Sequence, residues 1–235
     1  MGRVFEKRKH KMFARFDKMA KTFTKIGKEI AIAVKQGGPD PDGNPRLRTA
    51  IQNGRGANMP KDRIENAIKR ASSKDASSFD EVVYEGYGPY AVAMVIETAT
   101  DNPTRTVANV RMHFSRGNGT LGKTGSLDFM FDRKGVFRIA KENVNPEELE
   151  LELIDHGLDN LEVEEEEIVI YTTFTDFGKM QKALEDRGIT VTKTSLERIP
   201  TSFAEVSDAQ MDEVLDLIER FEEDDDVQAV YHNLK

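Results

Sequence analysis

The segments GVFRIA (135–140), PEELELELIDH (146–156), LEVEE (161–165) and IVIYT (168–172) read in order as strand, helix, strand, strand. The β-branched and aromatic runs suit strands, and proline at the first position with leucines every few residues suits a helix. A helix over Asp176–Arg187 and a strand over Ile189–Leu196 complete a strand–helix–strand–strand–helix–strand set across residues 135–198, which is the split βαβ, ferredoxin-like arrangement. On either side lie pieces of a second such set. Before it come a strand at Ala91–Thr98, a helix from Pro103 to Ser115 and a strand carrying Leu127, Phe129 and Phe131. After it come Thr201–Val206, Asp208–Phe221 and Val227–Tyr231 as strand, helix and strand. The first set therefore interrupts the second where its central hairpin should turn. The rival layout is a single mixed sheet with helices on one side.

Upstream the periodicity changes. Phe16, Met19, Ala20, Phe23, Ile26, Ile30, Ala33 and Val34 fall at three- and four-residue steps, with Lys18, Lys21, Lys25 and Lys28 on the other face. Met1–Ala14 reads as an extended arm or a weak helix. Gly37–Gly43 breaks the chain, and Asn44-Pro45 starts a short helix carrying Leu47, Ala50 and Ile51. Gly54 and Gly56 end it, and Asn58-Met59-Pro60 opens another with Ile64, Ala67, Ile68 and Ala71. Ser72–Ser78 is a polar linker. The expected class is α+β: an N-terminal helical domain plus two ferredoxin-like domains, one inserted in the other. The domains would be residues 1–78, 79–133 with 199–235, and 134–198.

The 235 residues carry a formal net charge of −8, which conceals an asymmetry. Residues 1–74 hold 19 Lys+Arg and 7 Asp+Glu, or +12, and residues 75–235 hold 15 and 35, or −20. Clustered positive charge of this size suits a polyanion, although a basic segment can also dock on an acidic body. With no cysteine, disulfides, thiolate nucleophiles and thiolate metal sites are excluded. The longest apolar runs, Ala91–Ile96 and Ile30–Val34, are far too short to span a bilayer. The basic N-terminus has no apolar core of a secretory signal, and Glu6 stands where a myristoylation signal needs Ser or Thr. A cytoplasmic location without membrane partners is expected.

Several motifs invite chemistry. Residues 117–124, GNGTLGKT, fit the phosphate-loop pattern, but that loop must follow a strand and open a helix. Here a helix precedes and a strand follows, so a helix cap and glycine-rich loop are expected instead. Tyr87 and Tyr90 in the turn Gly86–Tyr90 could stack on bases or pack at a domain junction. His10, His113, His156 and His232 share no metal-ligand spacing. The acidic runs Glu162 with Glu164–Glu167 and Glu222–Asp226 read as solvated faces or bait for a basic partner. No catalytic residue, cofactor site or metal site is expected. The basic arm, Arg3, Lys7, Arg8, Lys9, Lys11 and Arg15, suits phosphate contacts that release counterions. Arg46, Arg48, Arg55, Lys61 and Arg63 surround the connection Asn53–Asn58, where backbone and guanidinium can approach a phosphate chain. With the lysines of the first helix they form the candidate nucleic-acid-binding set, used for positioning rather than for sequence readout.

NPRLR at 44–48, ANMPKD at 57–62, YEGYGP at 84–89, TDN at 100–102 and GTLGKTGS at 119–126 resemble signatures of the YebC/PmpR family, and the resemblance runs along essentially the whole chain. It implies transcriptional regulators that bind DNA. Its mitochondrial relatives are translational activators, and bacterial members are tied to the ribosome. The implied fold is one helical and two α+β domains, the third inserted in the second. Two features depart from the family pattern: Met1–Lys11 lacks the usual His-Ser-Lys-Trp start, and Tyr90-Ala91 replaces a glycine pair. The resulting expectation is a non-enzymatic nucleic-acid-binding regulator of transcription, the alternative being a ribosome-associated translation factor on RNA. The acidic domains would provide shape, a homodimer contact or a dock for a basic protein.

Overall fold

The computed structural model describes residues 3–73, 78–142 and 144–235, with side chains from residue 19 onward. It divides into two compact units, Met1–Phe79 and Asp80–Lys235.

The first unit is three helices, α1 (Arg3–Gly37), α2 (Pro45–Gly56) and α3 (Lys61–Ala71). Of the two readings of the opening segment, extended arm or weak helix, the helix is the one present: α1 is continuous from Arg3. Residues 3–26 contain neither glycine nor proline, and Lys, Arg, Met and Ala are strong helix formers. Phe23, Ile26, Ile30 and Val34 of α1 bury against Leu47 and Ala50 of α2 and Ile64 of α3. These are the residues that the three- and four-residue spacing selects.

The second unit holds two four-stranded antiparallel sheets. The outer sheet is built from β1 (Asp80–Tyr87), β2 (Ala93–Thr100), β3 (Thr120–Leu121) and β8 (Val227–His232), in the order β3-β1-β2-β8. Its helices α4 (Pro103–Arg116) and α7 (Asp208–Glu223) cover one face. There Tyr84, Met94 and Ile96 meet Val110, Phe114, Leu217 and Phe221. Phe114 and Phe221 touch edge to face with centroids 4.8 Å apart. The chain then leaves this sheet to build β4 (Phe131–Ala140), α5 (Pro146–Leu153), β5 (Leu158–Val163), β6 (Glu167–Thr173), α6 (Phe177–Asp186) and β7 (Val191–Pro200). These strands pair in the order β5-β6-β4-β7, with the expected strand–helix–strand–strand–helix–strand succession. Phe137, Ile139, Ile168 and Ile170 pack on Leu149 and Leu153 of α5 and Met180 and Leu184 of α6. The α+β class, the helical N-terminal part and the insertion of one sheet within the other are all present.

The strand list of the outer sheet needs correcting. Leu127, Phe129 and Phe131 are not one strand: Asp128–Met130 is a short 3-10 turn, and β4 begins at Phe131. Leu127 and Phe131 turn into the back of the outer sheet while Phe129 stays 77% exposed, so their alternation marks a turn dipping twice into a core. Thr201–Val206 forms only a bridge between Ala204 and Leu234. The missing strand is β1, which pairs along its full length with β2. Its pattern is disguised because the buried position 85 is a glutamate.

Candidate nucleic-acid interface

Asn44 sets the geometry of the helical unit. It is 4% exposed, and its side-chain oxygen accepts the Leu47 N–H at 3.0 Å, capping α2. Its Nδ2 donates to the carbonyls of Ala33 at 2.7 Å and Gly38 at 2.9 Å, tying the end of α1 to the start of α2. Arg46 and Arg48 then straddle the buried Leu47. Arg46 is exposed and bonds Gln36 at 2.9 Å. Arg48 is half-buried, its Nη1 donating to the carbonyls of Pro41 at 3.3 Å and Asp42 at 3.4 Å, so it is turned toward its own loop.

The turn between α2 and α3 is tight. The Ala57 and Met59 N–H groups bond back to Asn53 and Gly54 carbonyls at 2.9 and 2.8 Å, and Asn58 takes φ 58°. Gly54 permits the close approach of the helices, since a Cβ there would lie 3.1 Å from Ile64 Cδ1. Met59 plugs the core. The turn therefore carries its cations outward: Arg55, Lys61 and Arg63 are all exposed. Lys61 meets Glu65 at 3.6 Å, a pair 88% and 64% exposed that leaves the ammonium in water. The Arg63 guanidinium lies 5.7 Å from the Phe23 ring centroid, which holds its stem without neutralising its charge. Lys21, Lys25 and Lys28 are half-buried along α1, and Lys28 sits 5.4 Å from the Phe79 ring. Arg3, Lys7, Arg8, Lys9, Lys11, Arg15 and Lys18 are on the α1 backbone, but their side chains lie outside the described residues. Lys69 and Arg70, exposed in the last turn of α3, extend the same surface. They are missed in a reading centred on the loop, although Arg70 lies two turns from Arg63 on the same helix.

The GNGTLGKT segment is not a nucleotide cradle. It runs from the C-terminal end of α4 into β3, and the N–H groups of Gly117, Gly119 and Gly122 already have carbonyl partners. Gly119 N–H bonds Phe114 at 2.7 Å and Gly122 N–H bonds the Glu85 carbonyl at 2.7 Å. The Glu85 carboxylate, 2% exposed, accepts from the N–H groups of Gly125 at 2.7 Å and Leu127 at 2.6 Å. A carboxylate of the protein thus holds two amides just beyond the motif.

The TDN motif is likewise structural. Asn102 caps α4 through the Arg105 N–H at 3.0 Å. Asp226, 6% exposed, accepts from Thr100, Thr106 and Arg105 at 3.2, 2.9 and 2.8 Å. That compensated charge locks the start of α4 to the strand end at β8. His113 pairs with Asp224 at 3.1 Å. Among the described residues there is no group of three His, Asp or Glu placed to hold a metal ion, and no helix is long and apolar enough to cross a membrane.

Comparison with known proteins follows this layout. A family model of the TACO1/YebC protein N-terminal domain matches residues 3–74, and one of the TACO1/YebC second and third domain matches residues 79–234. A protein of Cytophaga hutchinsonii named "Probable transcriptional regulatory protein" is 57% identical over 234 residues, covering 100% of this chain and 98% of its own. One of the same name from Flavobacterium johnsoniae is 53% identical over 235 residues, covering 100% and 99%. The crystal structure of a conserved hypothetical protein from Aquifex aeolicus matches with TM-score 0.82 at 37% identity, over 92% of this chain and 90% of that one. With a helical unit under one family model and the two nested sheets under the other, this chain belongs to the TACO1/YebC family.

Proposed function

We propose that this protein is a non-enzymatic regulator of transcription that binds nucleic acid through its helical unit. The observation that carries the reading is the solvent-facing set Arg46, Arg55, Lys61 and Arg63 at the α2–α3 turn. It is extended by Lys69 and Arg70 in a segment whose net charge is +12. Such a surface gains affinity by releasing counterions from phosphates and carries no base-reading pair of its own. Residues 75–235, at −20, are repelled by the same polymer and orient the helical unit toward it. The names of the relatives from Cytophaga hutchinsonii and Flavobacterium johnsoniae support regulation of transcription as the outcome. The three-domain division, 1–78, 79–133 with 199–235, and 134–198, belongs to this proposal, as does action in the cytoplasm. Crosslinking in cells followed by sequencing of the bound nucleic acid tests it. Promoter DNA supports the reading, ribosomal or messenger RNA replaces transcription by translation, and recovery of no nucleic acid overturns it.

A further inference from the structure

Helices α4 and α7 meet over the outer sheet, and along their seam lies a groove of about 470 Å³. From α4 it takes Asn109, Met112, His113 and Arg116, whose three- and four-residue spacing sets all four on one helix face. From α7 it takes Arg220, Glu223 and Asp224, spaced in the same way. The packing fixes how the two rows meet. A Cβ on Gly117 would lie 2.7 Å from Leu217 Cδ1, so Gly117 sits beside Leu217. His113 reaches Asp224 at 3.1 Å, and its ring meets that of Phe221 with centroids 5.4 Å apart. Arg116 falls between Gly117 and His113 on one helix, and Arg220 falls between Leu217 and Asp224 on the other. The two arginines therefore line the groove at the same level, from opposite sides.

The ionic groups of the groove are not equally engaged. Asp224 is committed: one oxygen accepts from His113 and from Asn109 at 3.4 Å, and the other accepts the Asp226 N–H at 3.0 Å. Arg116 and Arg220 are exposed, and neither has a hydrogen bond or ion pair among the described residues. Two uncommitted guanidiniums facing one space are the donor set that a phosphate takes up, since each planar fork matches two of its oxygens. Glu223 borders the same space. A bare phosphate would meet that carboxylate unfavourably. A phosphate on a carrier with hydroxyl groups puts it to use, because a carboxylate can accept from several donors. The volume is that of a small-molecule site, and the exposed Met112 gives it an apolar wall.

We infer that the groove between α4 and α7 binds a small phosphorylated compound bearing hydroxyl groups, with Arg116 and Arg220 on its phosphate. The inference uses no residue of the helical unit and stands or falls apart from the nucleic-acid reading. The test is isothermal titration calorimetry of the full-length chain with adenosine monophosphate, inorganic phosphate and adenosine at one ionic strength. Adenosine monophosphate is expected to saturate a single site, inorganic phosphate to bind more weakly, and adenosine not to bind. Arg116→Gln/Arg220→Gln, both at exposed positions, is expected to weaken the monophosphate at least about tenfold. Arg55→Gln/Lys61→Gln/Arg63→Gln is expected to leave it unchanged. A melting temperature equal to the parent's shows that the double variant is folded. In amide NMR spectra the monophosphate is expected to shift the Asn109 side-chain and Gly117 backbone signals. The inference is overturned if the parent shows no saturable binding, if adenosine binds as tightly as its monophosphate, or if the double variant keeps the parent affinity. Loss of affinity in the helical-unit triple variant also overturns it, because the phosphate is then held by the basic face. Inorganic phosphate binding as tightly as the monophosphate overturns the assignment of a hydroxyl-bearing carrier.

Discussion

Asn44 shows how one side chain can hold an interface in shape. It serves as cap for α2 and as donor to two carbonyls ending α1, all within a buried site. Asn44→Ala is expected to cost about 2 kcal/mol, read as a lowered urea midpoint for the helical unit, because a cap and two buried acceptors are lost together. Asn44→Asp keeps the cap and loses the donors, so an intermediate cost is expected. Tyr90 and Ala91 pose the opposite problem: both adopt positive φ, 60° and 58°, where a side chain is unfavourable. Tyr90 is anchored by its bond to Glu213, which with partial burial pushes its phenol pKa up. Ala91 has no such compensation, so Ala91→Gly is expected to stabilise by about 1 kcal/mol and raise the melting temperature by about 2–4 °C. Burial, reinforced by Glu162, pushes the Tyr171 phenol up to about 12. A raised phenol pKa means the folded chain holds its proton longer. Stability from this group is therefore complete below pH 10 and is lost as pH climbs toward 12. Tyr171→Phe should flatten that part of an alkaline denaturation series, and an unchanged series would refute the assignment.

At the scale of elements, the glycine-rich loop and β1 stabilise each other through Glu85. Glu85→Ala strands two N–H groups behind the sheet and is expected to cost about 2–4 kcal/mol. Faster amide exchange should appear first at Gly125 and Leu127. The same glutamate explains why β1 was not legible in the sequence. A strand is recognised by apolar residues alternating inward, and here an inward position carries a carboxylate whose partners lie forty and forty-two residues away. The inserted sheet was legible because its inward positions, Phe137, Ile139, Ile168 and Ile170, are all apolar and meet helices from the same short segment. Leu127 and Phe131 misled for a related reason, since both are buried but on a turn. The cations at the α2–α3 turn were legible because they flank helix ends next to a Gly/Asn-rich connection.

Across the whole molecule, charge is segregated by unit rather than neutralised within it. The turn cations of the first unit remain in solvent, and the described partners that they do have, Gln36 for Arg46 and Glu65 for Lys61, lie on the same unit. A chain of net charge −8 is thereby able to present a cationic face. The consequence is affinity that is modest and strongly salt-dependent, since most of it comes from released counterions. The most direct test is the slope of log affinity against log salt for a DNA duplex, compared between the parent and Arg55→Gln/Lys61→Gln/Arg63→Gln. Removing three phosphate contacts predicts a slope shallower by about 2.7, with weaker binding throughout. An identical slope and affinity in the triple variant would contradict the claim that this surface grips the polymer.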